Sequence, residues 1–453
     1  MKPTEEQDLI IQSVHNHALT KVVACAGTGK TTTLTQIVDA LKPKSALYIA
    51  FNKAVATEAA AKFPSSVTCS TIHAFAMKYI PRLNISYFTY RDIEEHIPYT
   101  SKMQIVDSME AFFNSDSICM NEFFATCLDK KTAKLAESYV DKMLSLEIPA
   151  TFGFALKYFH LMLEEGSANV PNFELVMLDE AGDVTGATLA IFRLLKTKRK
   201  VMVGDPHQNI YAFMNTIDGF KILESEGNTC TLTKSFRVNQ SIAERVEVFC
   251  QRHMDKNFVY EGVEYDKPTG DTVLYVSRTN SAMIGRMIYL INAKQGFNLL
   301  RSPKEIFALP LALITASSGK PVFDSRFKYL EKEYRDAKKA RKDFKSYLAK
   351  EYAEDIPLMG AINLLRKHTY GTIFDTYSHA KDMKPDPKNT LGSAHSVKGL
   401  ERDIVVIDND LNDSILQLIE DGGATNKDEL AEFNLAYVAA TRAKYELRNC
   451  KFL

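Results

Sequence analysis

The chain of 453 residues contains no tryptophan, so any ring that stacks on a flat ligand must come from phenylalanine or tyrosine. Its seven cysteines (Cys25, Cys69, Cys119, Cys127, Cys230, Cys250, Cys450) form no C-x-x-C pair. That spacing argues against a structural zinc and a disulfide framework, and fits a reducing compartment, cytoplasmic or nuclear and nucleoid-associated. No apolar run approaches the length of a membrane span. The polar, acidic start MKPTEEQDLI does not read as a secretory signal. Net charge is also missing: 56 basic side chains balance 56 acidic ones, so composition alone points to no nucleic acid. A nucleic-acid binder with this balance has to segregate its charge into a local groove.

The composition, 45% hydrophobic and 25% charged, is that of a globular protein, and the length predicts two or more domains. Short apolar, β-branched runs recur at Val22–Ala26, Ala46–Phe51, Leu175–Leu178, Val201–Gly204, Val273–Val276 and Ile404–Ile407. Each precedes a helix-like segment, which predicts buried parallel strands in an α/β architecture with an early and a late group. Two stretches interrupt this rhythm, about residues 81–166 and 283–388. The first is largely helical in pattern, with aromatics and no comparable strand run, and in the second the pattern changes again. Within the second, RFKYLEKEYRDAKKARKDFKSYLAK places Phe327, Leu330, Tyr334, Ala337, Phe344 and Leu348 on one helical stripe opposite a basic face. That face reads either as a solvated surface over a core or as an arm for a nucleic-acid backbone.

The stretch VVACAGTGKTTTL (22–34) carries the second half of G-x-x-x-x-G-K-[ST], with Ala24 where the first glycine is expected. The predicted strand before it and helix Lys30–Leu41 after it supply the required context. Backbone N–H groups there can hold phosphate oxygens, Lys30 can reach the terminal phosphates, and Thr31 can ligate Mg²⁺. By itself the loop could also be a tight turn. LVMLDEAGDV adds an acidic strand end, with Asp179 to hold Mg²⁺ and Glu180 to orient and deprotonate an attacking water. In VMVGDPHQNIYAFMN, Gln208 is a neutral amide able to sense the terminal phosphate. Phe213 is an aromatic that could meet a base, although its spacing alone favours core packing.

In order, the chain also presents EEQ, AFNKAV, STIHAFA, LTKSFRVNQSIA, SAHSVKGLERDIVV and LAYVAATRAK. Together with the loop and the acidic strand end, these resemble superfamily 1 helicases of the UvrD/Rep/PcrA type, closest in wording to the F-box DNA helicase branch. The resemblance covers about residues 4–444. It implies two RecA-like P-loop domains, the first from 1–80 and 167–235 with insertion 81–166, the second from 236–282 and 389–453 with a short insertion 283–388. It implies ATP and Mg²⁺ as cofactors, with Ala26, Gly27, Thr28, Gly29, Lys30, Thr31 and Thr32 as the cradle. Gln7 and Phe236 would meet the adenine and Glu401 the ribose. Arg237 and Arg442 would act as arginine fingers. Asn52, Thr71, His73, Tyr211, Phe213, His395 and Lys398 would line a single-strand groove.

The implied activity is 3′→5′ movement on single-stranded DNA with separation of duplex at single-strand/duplex junctions, in replication, repair or recombination. An alternative keeps the motor but strips a recombinase or single-strand-binding protein from the strand. A remote one is a P-loop kinase or nucleotide switch. The chain departs from the family pattern at Gly182, where a Gln is usual, at Met214 and Asn215, and at Asn434. AFNKAV is one residue short of the family form.

Overall fold

The structure is a computed structural model that describes residues 2–210, 216–265, 270–353 and 355–453. The chain divides into two compact units, Met1–Lys234 and Ser235–Leu453. Both are α/β units of the RecA-like P-loop kind, each carrying helical insertions.

Unit 1 is built on six strands, β1 (Leu19–Ala24), β2 (Ala46–Ala50), β3 (Val67–Thr71), β4 (Phe173–Leu178), β5 (Thr197–Gly204) and β6 (Asn228–Leu232). They lie in the order β3-β2-β4-β5-β1-β6, and every neighbouring pair is parallel. Alternate side chains explain the continuous apolar runs. Leu175, Met177, Val201 and Val203 face a core with Ile10, Leu34 and Ile37, while Val176, Leu178 and Met202 face another with Phe75, Phe159 and Phe192. A strand buried on both faces has no polar side to alternate with.

Between β3 and β4 run helices Tyr99–Asn114, Met120–Cys127, Lys130–Leu144 and Phe152–Glu164. They have a core of their own around Ile105, Met109, Phe112, Phe124, Tyr139 and Met143. Asp129 and Thr151 start two of these helices by accepting backbone N–H bonds at Thr132 and Phe154.

In unit 2, β7 (Lys234–Asn239) and β8 (Glu261–Val263) form a two-stranded ribbon. A parallel sheet follows, with β9 (Val273–Ser277), β10 (Asn298–Leu299), β11 (Asn389–Ser393), β12 (Arg402–Ile407) and β13 (Ala443–Arg448) in the order β10-β11-β9-β12-β13. β10 pairs with β11 in this sheet, and helix Asn280–Asn292 shares one core with the helices that follow from Pro303.

The basic stretch is not one helix. Helices Tyr329–Lys339 and Phe344–Glu351 are separated by a turn in which Arg341 takes φ +53°. Leu330, Ala337, Phe344 and Leu348 nevertheless pack into one core, with Phe327 and Tyr334 at its edge. A seven-residue step from Ala337 to Phe344 keeps the same face across either arrangement, so periodicity could not reveal the break.

Candidate functional site

A parallel sheet brings the carboxyl ends of all its strands to one edge, where the loops can converge on a ligand. In unit 1, β1 remains extended through Ala24, which is fully buried and pairs with Leu232 of β6. The chain turns left-handed only at Gly27 (φ +77°) and Gly29 (φ +79°), so the position of the missing glycine needs no glycine. Gly29 is the cap of helix Lys30–Leu41 and supplies no capping side chain, which leaves the helix-start N–H groups without one. That is the setting in which such a terminus receives an anion. The Thr28 hydroxyl donates to the carbonyl of Cys25 at 2.8 Å and closes the loop from within.

Two strands away, β4 ends at Asp179 and Glu180. Glu180 takes φ +52°, a left-handed conformation rarely adopted by a residue with a side chain. Its carboxylate receives a hydrogen bond from Lys30 at 3.2 Å. Burial opposes the charge on Lys30, but Glu180, Asp205 and Asp179 outweigh it and raise the ammonium's pKa. Burial and the neighbouring Glu180 raise the pKa of Asp179, against the pull of Lys30 and a hydrogen bond from Tyr48. Asp179 Oδ1 accepts from the Glu180 N–H at 2.9 Å, and Oδ2 accepts from the Tyr48 hydroxyl at 2.5 Å. Three carboxylates thus surround one lysine in a buried setting. Among the described residues no group of three or more His, Cys, Asp or Glu is arranged to hold a metal, so the Asp179 carboxylate and the Thr31 hydroxyl are the hard oxygen donors left to suit Mg²⁺.

After β5, Asp205 accepts a 2.7 Å bond from the amide of Gln208. Burial would raise the pKa of Asp205, but His207, Lys30 and Gln208 bring it below the usual carboxylate value. Gly182, the family departure, lies where a Cβ would meet the backbone oxygen of Asp205 at 2.8 Å. Its carbonyl accepts from Asn209 Nδ2 at 3.0 Å.

Gln7 is 3% exposed. Its side chain completes a capping box with Thr4 and donates to Thr33, one turn into the helix after the loop. The amide therefore joins the N-terminal helix to the phosphate-loop helix, and Thr32 is exposed on the latter. Asn52 and Thr71 cap helices Lys53–Lys62 and Ile72–Ala76 by accepting from Val55 and Ala74. Thr71, His73, Phe51, Phe113 and Asp179 line one cavity of about 380 Å³ between the sheet edge and the helical insertion. Residues expected for nucleic acid and for metal thus share a wall. Burial lowers the pKa of His73.

Unit 2 brings Arg237, Glu401 and Lys444 together. Arg237 Nε lies 2.5 Å from one oxygen of Glu401, and Lys444 Nζ lies 2.9 Å from the other. Glu401, expected at a ribose, is here the shared counter-ion of two cations. Phe236, beside Arg237, is 46% exposed and could cover a base. Arg442 differs from the expectation of a projecting finger, being 2% exposed. Its guanidinium donates to the carbonyls of Val438 at 2.9 Å and Leu400 at 3.4 Å, and to the Thr441 hydroxyl at 3.0 Å. The physical reason is local: helix Lys427–Ala440 ends just before it and leaves carbonyls for a cation to satisfy. His395 and Lys398, partly exposed, follow β11. Tyr211 and Phe213, with Met214 and Asn215, lie outside the described residues.

A family model described as an AAA domain matches residues 7–214. F-box DNA helicase protein 1 of Schizosaccharomyces pombe is 26% identical to the chain over 505 aligned residues, which cover 98% of this chain and 57% of that protein. These likenesses support a superfamily 1 helicase of the F-box branch. F-box DNA helicase 1 of Gallus gallus is 27% identical over 270 residues, covering 53% of this chain and 26% of that protein. The chain therefore spans little more than half of one relative and about a quarter of the other.

Among the described residues, no helix is long and apolar enough to cross a membrane. Three participants escaped the motif reading: Tyr48, Asp205 and Lys444. Tyr48 carried a signal, being a phenol in an otherwise aliphatic strand, where its hydroxyl needs a partner.

Proposed function

We propose that this protein is an ATP-dependent DNA helicase or translocase. The observation that carries the reading is the convergence of Lys30, Asp179, Glu180 and Asp205 on an uncapped helix start at one sheet edge. The Gly27–Thr32 backbone holds the phosphates, and Glu180 takes a proton from the attacking water once Lys30 has turned to phosphate. Thr31 and Asp179 hold Mg²⁺, which when bound neutralises charge on the phosphates. Gln7 and Phe236 accommodate the adenine, Glu401 the ribose, and Gln208 the terminal phosphate. Turnover also requires Arg237 of unit 2, because phosphoryl transfer depends on fixed positive charge. Asn52, Thr71, His73, His395 and Lys398, with Tyr211 and Phe213, contact single-stranded DNA, and movement is 3′→5′. The likeness to proteins named DNA helicases supports the nucleic-acid part of this reading.

The test is steady-state ATPase activity with and without single-stranded DNA, single-stranded RNA and duplex, followed by unwinding of forks with a single 3′ or 5′ tail. Stimulation by single-stranded DNA and unwinding from the 3′ tail are expected. Lys30→Ala or Glu180→Gln protein that hydrolyses ATP normally would defeat the site assignment. Displacement of a strand-bound protein without fork unwinding would favour a translocase that clears recombinase or single-strand-binding protein.

A further inference from the structure

Tyr48 sits in the middle of β2 with its ring fully buried and tilted against Phe63 at a centroid distance of 5.3 Å. Its neighbours in the strand, Ala46, Leu47, Ile49 and Ala50, are all aliphatic. A buried phenol hydroxyl without a partner is costly. This one has its partner in the acidic end of β4, at 2.5 Å from Asp179 Oδ2. In this pair the phenol O–H donates and the carboxylate oxygen accepts. The second oxygen, Oδ1, is held by the Glu180 N–H at 2.9 Å.

A carboxylate oxygen has two lone-pair directions. With one direction on each oxygen filled by a fixed donor, the plane of Asp179 is set while acceptor capacity remains on both. We propose that Tyr48 is a positioning residue of the metal–nucleotide site, its hydroxyl holding the Asp179 carboxylate in the orientation that accepts a divalent cation. The proposal rests on the ATP-site reading above. Hydrogen bonds of this second kind, made to a ligand and not to the metal, typically carry about 10–100-fold in metal affinity or activity.

Tyr48→Phe deletes the hydroxyl and keeps the ring, whereas Phe63→Leu alters the packing and keeps the hydroxyl. Binding of Mn²⁺ in the presence of ADP, read from the paramagnetic resonance of free Mn²⁺, measures the site without turnover. Tyr48→Phe is expected to weaken Mn²⁺ binding at least about 10-fold and leave metal-free ADP binding unchanged. It is also expected to raise by a similar factor the Mg²⁺ concentration for half-maximal ATPase, with kcat regained at saturating Mg²⁺. Phe63→Leu should bind Mn²⁺ as the wild type does. Wild-type Mn²⁺ affinity in Tyr48→Phe, or equal losses in both variants, would overturn the proposal. Wild-type protein that takes up no Mn²⁺ with ADP would instead defeat the ATP-site reading, and the proposal with it.

Discussion

Gly182 stands where the resemblance leads one to expect glutamine, and the space around it makes the difference testable. A Cβ there would lie 2.8 Å from the Asp205 oxygen, 3.0 Å from the Asp205 carbonyl carbon and 3.1 Å from Pro206 Cα. All three are backbone atoms, so no flexible side-chain end can swing away. Comfortable contact needs about 3.5–4.0 Å, so the loop after β5 must retreat by several tenths of an ångström. Overpacking of this kind costs about 1–3 kcal/mol. For a unit of this size each kcal/mol lowers Tm by about 2–4 °C, which gives a drop of about 2–12 °C for Gly182→Ala. The retreat would also pull on the Asn209–Gly182 bond and on Asp205, which helps keep Lys30 charged, so turnover should fall with stability. Gly182→Gln, which restores the family's residue, should do at least as much damage. Calorimetric melting and ATPase assays of both variants decide the matter. Gly182→Ala with wild-type Tm and turnover would refute the reasoning.

Arg442→Ala should lower the melting temperature of unit 2 by several degrees, since it removes three hydrogen bonds of a buried guanidinium, each worth about 1–3 kcal/mol. Arg237→Ala should leave melting near wild type and reduce turnover at least about 10³-fold, and the opposite pattern would restore Arg442 as the finger. Asn52→Asp keeps an acceptor at the helix cap, so stability should hold within a few tenths of a kcal/mol, while affinity for labelled single-stranded DNA by fluorescence anisotropy should fall. At His395, burial and then Arg278 push the pKa down to about 4, with Arg301 adding to the effect and Glu432 opposing it. An unfolded imidazole titrates near about 6.5, so the unfolded state binds more protons between these values and stability is lost as pH falls through that window. Urea midpoints at pH 7 and pH 5 should therefore separate more for the wild type than for His395→Gln.

The strands that were legible from the residues, β1, β2, β4, β5, β9 and β12, each contain at least three consecutive apolar residues. Those that were not, such as β3 (VTCST), β6 (NTCTL) and β11 (NTLGS), are rich in threonine, serine, asparagine and glycine. β11 is nonetheless buried along its whole length, because neighbours in the sheet cover it and its own polarity does not decide the matter. The phosphate loop was legible because its chemistry is local: two glycines, a lysine and a threonine within five residues. Tyr48–Asp179 and Arg237–Glu401–Lys444 join residues from different strands, and no local spacing encodes such pairs. Asn52 and Thr71 show the converse. A motif match marks them for DNA, while the structure shows each also starting a helix.

The acidic edge explains why one glycine of the phosphate loop is dispensable while two glycines elsewhere are not. Ala24 lies within extended β1, where a methyl group fits. The tight approach occurs one strand over, where the loop leaving β4 crosses the end of β5. There a Cβ on Gly204 would meet the Ala181 nitrogen at 2.7 Å and the Gly182 nitrogen at 2.9 Å. The crossing places Glu180 at φ +52°, a conformation that costs a side-chain-bearing residue about 1–2 kcal/mol. Two bonds made in the same turn offset that cost, from the Glu180 N–H to Asp179 and from the Ala181 N–H to Val203. The product of the strain is direction: the Glu180 carboxylate is aimed back across β5 at Lys30. A relaxed backbone at residue 180 would leave Asp179 in place and lose that aim. The constraint on this loop therefore falls on Gly204, Gly182 and the backbone of Glu180 more than on the glycine missing from its first half.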